Sequence, residues 1–342
     1  MPRLRIALVG LGMAVAPHAK SLLDLEDKAE VAYAVSPTAP RREAFAKSFP
    51  FPTTGDLDAV LADGSVDALL LLTPPNTHLD LVKRAAAAGK HVLLEKPLEV
   101  STERAIAVVE ACEAAGVRLG AVLQHRFRPA AQRVKQILTE GGLGRLAQAS
   151  VHVPWWRPQS YYDQPGRGTL ARDGGGVLIT QAIHTLDLLM HLTGPISAVS
   201  AFAGTSHVHR METEDQVAAA LRYANGAIGA LDCTTVLYPG YPETITLGGE
   251  KGSARIVATE AAIEYADGSR ETAGAPSGGG GGANPMDFPH DWHRDLIGDF
   301  LDAVREGRDP AIPGREALRV HHLIDALLRS ARERRMIAPA ES

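Results

Sequence analysis

Through the first third of the chain, short apolar runs alternate with amphipathic stretches. Residues 4–9, 31–35, 68–72, 91–94 and 119–123 read as strands, each mostly apolar and too short for a helix. Between them, residues 79–88 and 102–115 carry apolar side chains at helical spacing. Such alternation requires right-handed crossovers and lays the strands side by side in a parallel sheet covered on both faces. The pattern therefore predicts a doubly wound α/β domain over residues 1–123.

Beyond residue 123 the texture changes. A helix is expected over 129–140, then an aromatic connection, then a long apolar helix over 176–192. Strand-like runs at 196–203, 216–223, 227–235, 244–247 and 254–257 follow so closely that they predict a mostly antiparallel open sheet. This is a second, α+β domain over residues 124–342. The stretch 275–283, with five consecutive glycines, has no side chains to bury and is expected to be mobile; amphipathic helices over 292–306 and 315–332 follow it.

Composition narrows the function classes. The 342 residues are 45% hydrophobic and 22% charged with a formal net charge of -5, so neither nucleic acid nor an anionic membrane is an expected partner. Cys112 lies in a helical pattern and Cys233 in a strand pattern, which argues against a disulfide framework and fits a reducing cytoplasm. No apolar run reaches the roughly 18 residues of a membrane span, and the first strand begins too early to leave room for a signal peptide.

The candidate chemistry collects at strand ends. Gly10-Leu11-Gly12-Met13 follows the first strand and opens a helix, the context in which a glycine turn lets a pyrophosphate approach the backbone. The third small residue of that fingerprint falls on Val15, so the match is partial. At the end of the second strand, where an acidic residue would bind the ribose of NAD, the chain has Ser36, with Arg41 and Arg42 close behind. A hydroxyl with guanidinium groups suits a 2′-phosphate, so NADP is preferred and NAD remains possible. Thr73-Pro74-Pro75-Asn76-Thr77-His78 ends another buried strand; Thr73, Pro74, Asn76 and His78 are cofactor candidates, and Asn76 or Thr77 serves equally well as a helix cap. Glu95-Lys96-Pro97 ends the run 91–94, where Lys96 would sit in a crevice as a positioned proton donor.

In the second domain Thr180, His184, Asp187 and His191 form a polar stripe on the long helix, with Asp187 and His191 reading as structural. His207-Val208-His209 puts two imidazoles on one face of a strand, but no carboxylate–histidine set accompanies them, and no metal is expected. Trp155, Trp156, Arg157, Tyr161, Tyr162, Arg167 and Arg172 crowd one connection, a combination suited to gripping polyhydroxylated rings or to oligomer contacts.

Together Gly10-Leu11-Gly12, the 73–78 segment, Glu95-Lys96-Pro97, Arg126-Phe127-Arg128-Pro129, Gly174-Gly175-Gly176 with His184 and Asp187, and His290-Asp291-Trp292-His293 resemble the glucose-fructose oxidoreductase / inositol dehydrogenase / MocA-like family over nearly the whole chain. The resemblance implies a Rossmann domain followed by an open-sheet domain used for homodimer or homotetramer formation, and NAD(P)-dependent oxidation or reduction of a sugar, cyclitol or related compound. Lys96 matches the lysine that hydrogen-bonds the reacting oxygen, and His184 the proton acceptor or donor. Glu95 and Lys96 are further implied to face the cofactor, and Lys96, Arg126, Trp156, Tyr161, Arg167, Thr180 and His184 the substrate. Thr180 stands where many members carry aspartate, and a hydroxyl cannot hold a charged imidazole in the same way. An NAD-dependent glycosidase of the same family and a non-catalytic cofactor-binding sensor are the alternatives.

Overall fold

A computed structural model describes residues 3–276 and 289–340. The glycine tract at 278–282, expected to be mobile, lies outside the described residues. The chain forms two compact units, one of residues 1–123 and 289–318, the other of 124–288 and 319–342. The expected second domain was continuous from 124 to 342. Residues 289–318 instead pack with the N-terminal unit, because the buried face of their helix, including Trp292, Leu296, Ile297, Phe300 and Leu301, belongs to that unit's core.

In the first unit, β1 (Leu4–Val9), α1 (Val15–Asp24), β2 (Ala29–Val35), α2 (Ala39–Ala46), β3 (Thr53–Thr54), α3 (Leu57–Ala62), β4 (Ala68–Leu71), α4 (His78–Ala87), β5 (His91–Leu94), α5 (Thr102–Ala114) and β6 (Leu119–Ala121) follow in order. The strands form a parallel sheet in the order β3-β2-β1-β4-β5-β6. This is the doubly wound order, whose direction of winding reverses beside β1 and opens a crevice at the carboxyl ends of the strands. Uniform burial of Leu69, Leu70, Leu71, Leu93 and Leu94 explains why these strands read as continuous apolar runs, since both faces are covered.

The second unit contains α6 (Pro129–Thr139), β7 (Leu146–Pro154), the short α7 (Gln159–Tyr162) and α8 (Leu170–Asp173), α9 (Ile183–Thr193), and strands β8 (Ile196–Gly204), β9 (Gln216–Tyr223), β10 (Ile228–Thr234), β11 (Thr244–Gly249), β12 (Gly252–Val257), β13 (Glu260–Tyr265) and β14 (Arg270–Gly274). Its sheet runs β14-β13-β12-β11-β7-β10-β9-β8, antiparallel except for the parallel β7–β10 pair. Helix α10 (Asp291–Glu306) returns to the first unit, and α11 (Gly314–Glu333) follows. No helix of the described residues is long and apolar enough to cross a membrane. Both cysteines are free and buried.

Two expectations change here. The long helix over 176–192 is a π-helical turn, Leu178–Ala182, followed by α9, so Thr180 lies outside the regular stripe of His184 and Asp187. His207 and His209 are not strand neighbours but lie in the connection between β8 and β9. There His209 is fully buried, with Nδ1 on Asp215 at 2.9 Å and Nε2 on the Arg157 carbonyl at 2.8 Å.

Candidate functional site

At the carboxyl edge of the parallel sheet, Gly10 leaves β1 with a φ of +107°, and a Cβ there would lie 2.8 Å from the Leu72 carbonyl carbon. Only glycine fits. A Cβ on Gly12 would meet nothing within 4 Å, so the chain is bare where an outside group can approach it. Helix α1 then starts at Val15 without a side-chain cap; the Val15 N–H donates to the Gly12 carbonyl at 3.3 Å, and the positive dipole end of the helix is left to a ligand. Exposed Met13 flanks the turn. This cradle fits a dinucleotide pyrophosphate.

The other strand ends share this edge. Ser36 is buried and its hydroxyl accepts the Thr38 N–H at 3.3 Å, while the Arg42 guanidinium donates to the Ser36 carbonyl at 2.6 Å. Arg42 is thus folded back over the end of β2, and Arg41 is exposed beside it. After β4, Pro74 and Asn76 are exposed in a tight turn, and the Thr77 hydroxyl donates to the Pro74 carbonyl at 2.7 Å. Neither Asn76 nor Thr77 caps α4 through its side chain. His78 does not face a cofactor. It is completely buried, with Nε2 on the Thr73 carbonyl at 2.8 Å and Nδ1 on the Pro97 carbonyl at 3.0 Å, and burial holds its pKa below the ordinary histidine value. Its role is to fasten the turn after β4 to the turn after β5.

Glu95 is likewise turned away from the cofactor role. One carboxylate oxygen takes the His18 Nε2 at 2.7 Å and the other accepts the Lys96 N–H at 3.0 Å. His293, from α10, sits edge-on to His18 with ring centroids 5.0 Å apart. Burial alone would raise the Glu95 pKa, yet the hydrogen bond and charge of His18 outweigh it and leave the carboxyl lowered. Ligand atoms of His18, Glu95 and His293 lie within 4.8 Å of one another, a spacing a metal ion could use. His18 Nε2 and both Glu95 oxygens are engaged in hydrogen bonds, so the cluster reads as a brace behind Lys96, joining α1, β5 and α10.

His293 carries a pH signature. Burial, and then the charge of neighbouring His18, push its pKa down to about 3 from 6.5. Between those values the unfolded chain binds a proton that the folded chain does not, so stability rises with pH across the window and is lost on acidification. Urea unfolding at pH 7 and pH 4 is expected to show a loss on the order of a few kcal/mol, and His293→Gln should flatten it. Equal pH dependence in the two proteins would assign the loss to other groups.

In the second unit, the segment leading to His184 begins at Gly176, where a Cβ would lie 1.8 Å from the Glu214 carbonyl oxygen. The buried Glu214 carboxylate accepts the N–H groups of Gly176 at 3.1 Å and Leu178 at 3.2 Å, and burial raises its pKa. Gly176 is therefore needed to let the segment leading into β9 pass close to the helix start. Thr180 donates its hydroxyl to the Gly176 carbonyl at 2.6 Å. His184 stacks on His125, with centroids 4.9 Å apart and rings inclined by 28°. His125 Nε2 takes Arg128 Nη2 at 2.6 Å, and Arg128 donates to Glu243 at 2.6 Å.

Arg126 departs from its expected substrate contact. It is buried and grips Asp187 with two hydrogen bonds, Nε to Oδ2 at 2.7 Å and Nη2 to Oδ1 at 2.5 Å, and reaches His191 Nδ1 at 3.2 Å. In the aromatic connection, Tyr161 accepts a hydrogen bond from Gln181 Nε2 at 3.0 Å and lies under the Arg167 guanidinium at 5.1 Å. The same loop is thereby attached to the turn before His184. Trp156 goes elsewhere, edge-on to Tyr238 at 5.6 Å and near His209 at 6.0 Å. His18, His125, Gln181 and Glu214 were not singled out from sequence. His18 and Glu214 find partners 77 and 38 residues away and His125 stacks on the distant His184, so no local spacing announces these contacts.

Residues 4–122 match the model of the oxidoreductase family with an NAD-binding Rossmann fold, and residues 131–255 match the GFO/IDH/MocA C-terminal domain. A solved structure of the WlbA dehydrogenase from Bordetella pertussis, in complex with NADH and UDP-GlcNAcA, is 33% identical, with a TM-score of 0.86 and 100% of both chains covered. Inositol 2-dehydrogenase of Rhizobium meliloti is 27% identical, covering 98% of this chain and 99% of its own. D-xylose 1-dehydrogenase (NADP(+)) 2 of Haloferax volcanii is 28% identical over 88% of this chain and 90% of its own. With the doubly wound sheet, the glycine cradle and both family models in place, the chain belongs to the GFO/IDH/MocA oxidoreductase family.

Proposed function

We propose that the protein is a NAD(P)-dependent dehydrogenase acting on a hydroxyl-bearing or keto carbon of a sugar, cyclitol or sugar-derived substrate. The observation that carries this reading is the shared edge of the parallel sheet, where the glycine cradle after β1, the Ser36 turn after β2 and Lys96 after β5 all occupy carboxyl ends of strands. The relatives named above are, by their descriptions, a dehydrogenase of inositol, a dehydrogenase of D-xylose and a dehydrogenase in complex with UDP-GlcNAcA, which supports the substrate class.

The residues that would hold the cofactor are Gly10, Gly12 and the start of α1 for the pyrophosphate, Ser36 with Arg41 and Arg42 for the adenosine ribose, and Thr73, Pro74 and Asn76 along the neighbouring strand end. Bound nicotinamide supplies a hydride acceptor or donor. Lys96 donates a hydrogen bond to the reacting oxygen, stabilising alkoxide character, and His184 accepts or returns the hydroxyl proton. Thr180 and Tyr161 contribute substrate hydroxyl contacts. Nicotinamide absorbance across a panel of sugars, lactones, cyclitols and nucleotide sugars tests the reading; no reduction or oxidation with any of them counts against it.

NADP is proposed over NAD on the strength of Ser36 and the two arginines. Titration of both cofactors should give tighter binding of NADP, and Arg42→Ala should narrow the difference. If NAD binds tighter, or the variant leaves NADP affinity unchanged, the arginines serve only the fold of the β2 turn.

We also propose a homo-oligomer. The open face of the eight-stranded sheet exposes Phe202 at 84% and Ile228 at 61% beside Ala218 and Ala220 of β9, with Arg222 and Asp232 on the same face, a mixed apolar and charged surface suited to a second copy.

A further inference from the structure

The geometry points to a subsite for an anionic group of the substrate, a carboxylate or a phosphate, formed by Arg167 and Arg172. The inference rests on the dehydrogenase reading and narrows its substrate class from neutral polyols to acidic or phosphate-bearing sugars.

Two guanidinium groups share one carboxylate oxygen. Arg167 Nη1 lies 3.8 Å and Arg172 Nη1 3.6 Å from Oδ1 of Asp173. The other Asp173 oxygen accepts the Gly168 N–H at 3.0 Å. Two positive charges therefore face a single negative one, at separations too long for good hydrogen bonds.

The neighbouring carboxylates hydrogen-bond to other groups. Glu212 accepts the Leu170 N–H at 3.1 Å, Glu214 is turned to the amides of Gly176 and Leu178, and Asp215 is taken by His209 and Ser206. Asp163 accepts from Gln159 at 2.9 Å and is exposed.

The pair is also built into place. A Cβ on Gly166, whose φ is +78°, would lie 2.4 Å from the Arg172 Cδ, so the glycine leaves the space that the arginine stem fills. Arg167 lies over the Tyr161 ring, and Tyr161 is tied to Gln181 in the π-helical turn that precedes His184. Both side chains keep part of their surface open, 20% for Arg167 and 32% for Arg172, so a ligand can reach them. Planar guanidinium forks match the two oxygens of a carboxylate or phosphate, and a contact remote from the reacting carbon acts on binding more than on turnover.

The test is calorimetric titration of the protein, loaded with whichever reduced cofactor, NADPH or NADH, binds it more tightly, with glucose, glucuronate, UDP-glucose and UDP-glucuronate. Glucuronate against glucose, and UDP-glucuronate against UDP-glucose, isolate a sugar carboxylate; UDP-glucose against glucose isolates the phosphates. The expected result is that at least one acidic member binds about tenfold or more tightly than its match, the scale of one charge-assisted contact. Arg172→Gln and Arg167→Met, checked for wild-type melting temperature, should each reduce that ratio to about threefold or less. No acidic preference in the wild-type protein, including failure of all four to bind, overturns the subsite, as does a preference that neither variant touches. Nicotinamide absorbance separates the two ideas. Turnover of neutral sugars without acidic preference would remove the subsite and keep the dehydrogenase, whereas arginine-dependent acidic binding, with no nicotinamide chemistry for any sugar in the panel, would do the reverse.

Discussion

Lys96→Ala is expected to lower kcat by about 100-fold or more while the dissociation constant of the nicotinamide cofactor changes by less than about threefold. The reason lies in how the lysine is held. Its backbone N–H is fixed by Glu95, which is fixed by His18, and the turn behind it is fastened through His78. Such bracing suits a side chain that must meet a reacting oxygen at one position, and would be unnecessary for a solvated surface lysine. Cofactor binding rests on the glycine cradle and the β2 turn, so it should survive the substitution. His184→Ala should reduce kcat on the same scale and also remove an ionisation from the pH dependence of kcat/KM, since imidazole is the side chain that ordinarily titrates near neutrality. If Lys96→Ala weakens the cofactor as much as it slows turnover, the lysine is a cofactor ligand. If His184→Ala retains an unaltered pH profile, the proton acceptor must be sought at Tyr161 or at a water held by Thr180.

The five longer strands of the parallel sheet were readable from sequence because both its faces are covered, so each is a largely apolar run whose end stands out as a polar or glycine-rich interruption; β3, two threonines at the sheet edge, carried no such pattern. Ser36, Thr73 and Lys96 were found that way. The second sheet was harder. With one face open, only alternate positions need be apolar, and β7 (Leu-Ala-Gln-Ala-Ser-Val-His-Val-Pro), although central, reads as an indifferent mixture. The outer hairpin of β13 and β14, rich in glutamate and alanine, gave no strand pattern for the same reason. Within the site, sequence order could supply residue types but not partners. His78, Glu95 and Arg126 are polar residues beside motifs, and nothing local distinguishes a side chain aimed at a ligand from one that locks two backbone segments together. That distinction is made by contacts across the fold: His78 to Pro97, Glu95 to His18, Arg126 to Asp187.

Arg126→Met is expected to destabilise the protein by about 3–5 kcal/mol, the usual cost of leaving one member of a buried ion pair without the other. Arg126 and Asp187 have side-chain exposures of only 6% and 2%, and their two hydrogen bonds join the turn before α6 to the middle of α9. Removing the guanidinium would take from the buried Asp187 carboxylate the two charge-assisted hydrogen bonds that Arg126 gives it. The double variant Arg126→Met/Asp187→Leu should recover most of the loss, because a buried pair replaced by apolar groups of similar size is often close to neutral in stability. Urea denaturation of the three proteins measures this directly. The same set decides whether Arg126 touches substrate. With the pair replaced and the fold restored, KM should remain near the wild-type value if the arginine is structural; a large rise in KM in a stable double variant would return Arg126 to the substrate contacts that its place in the sequence implied.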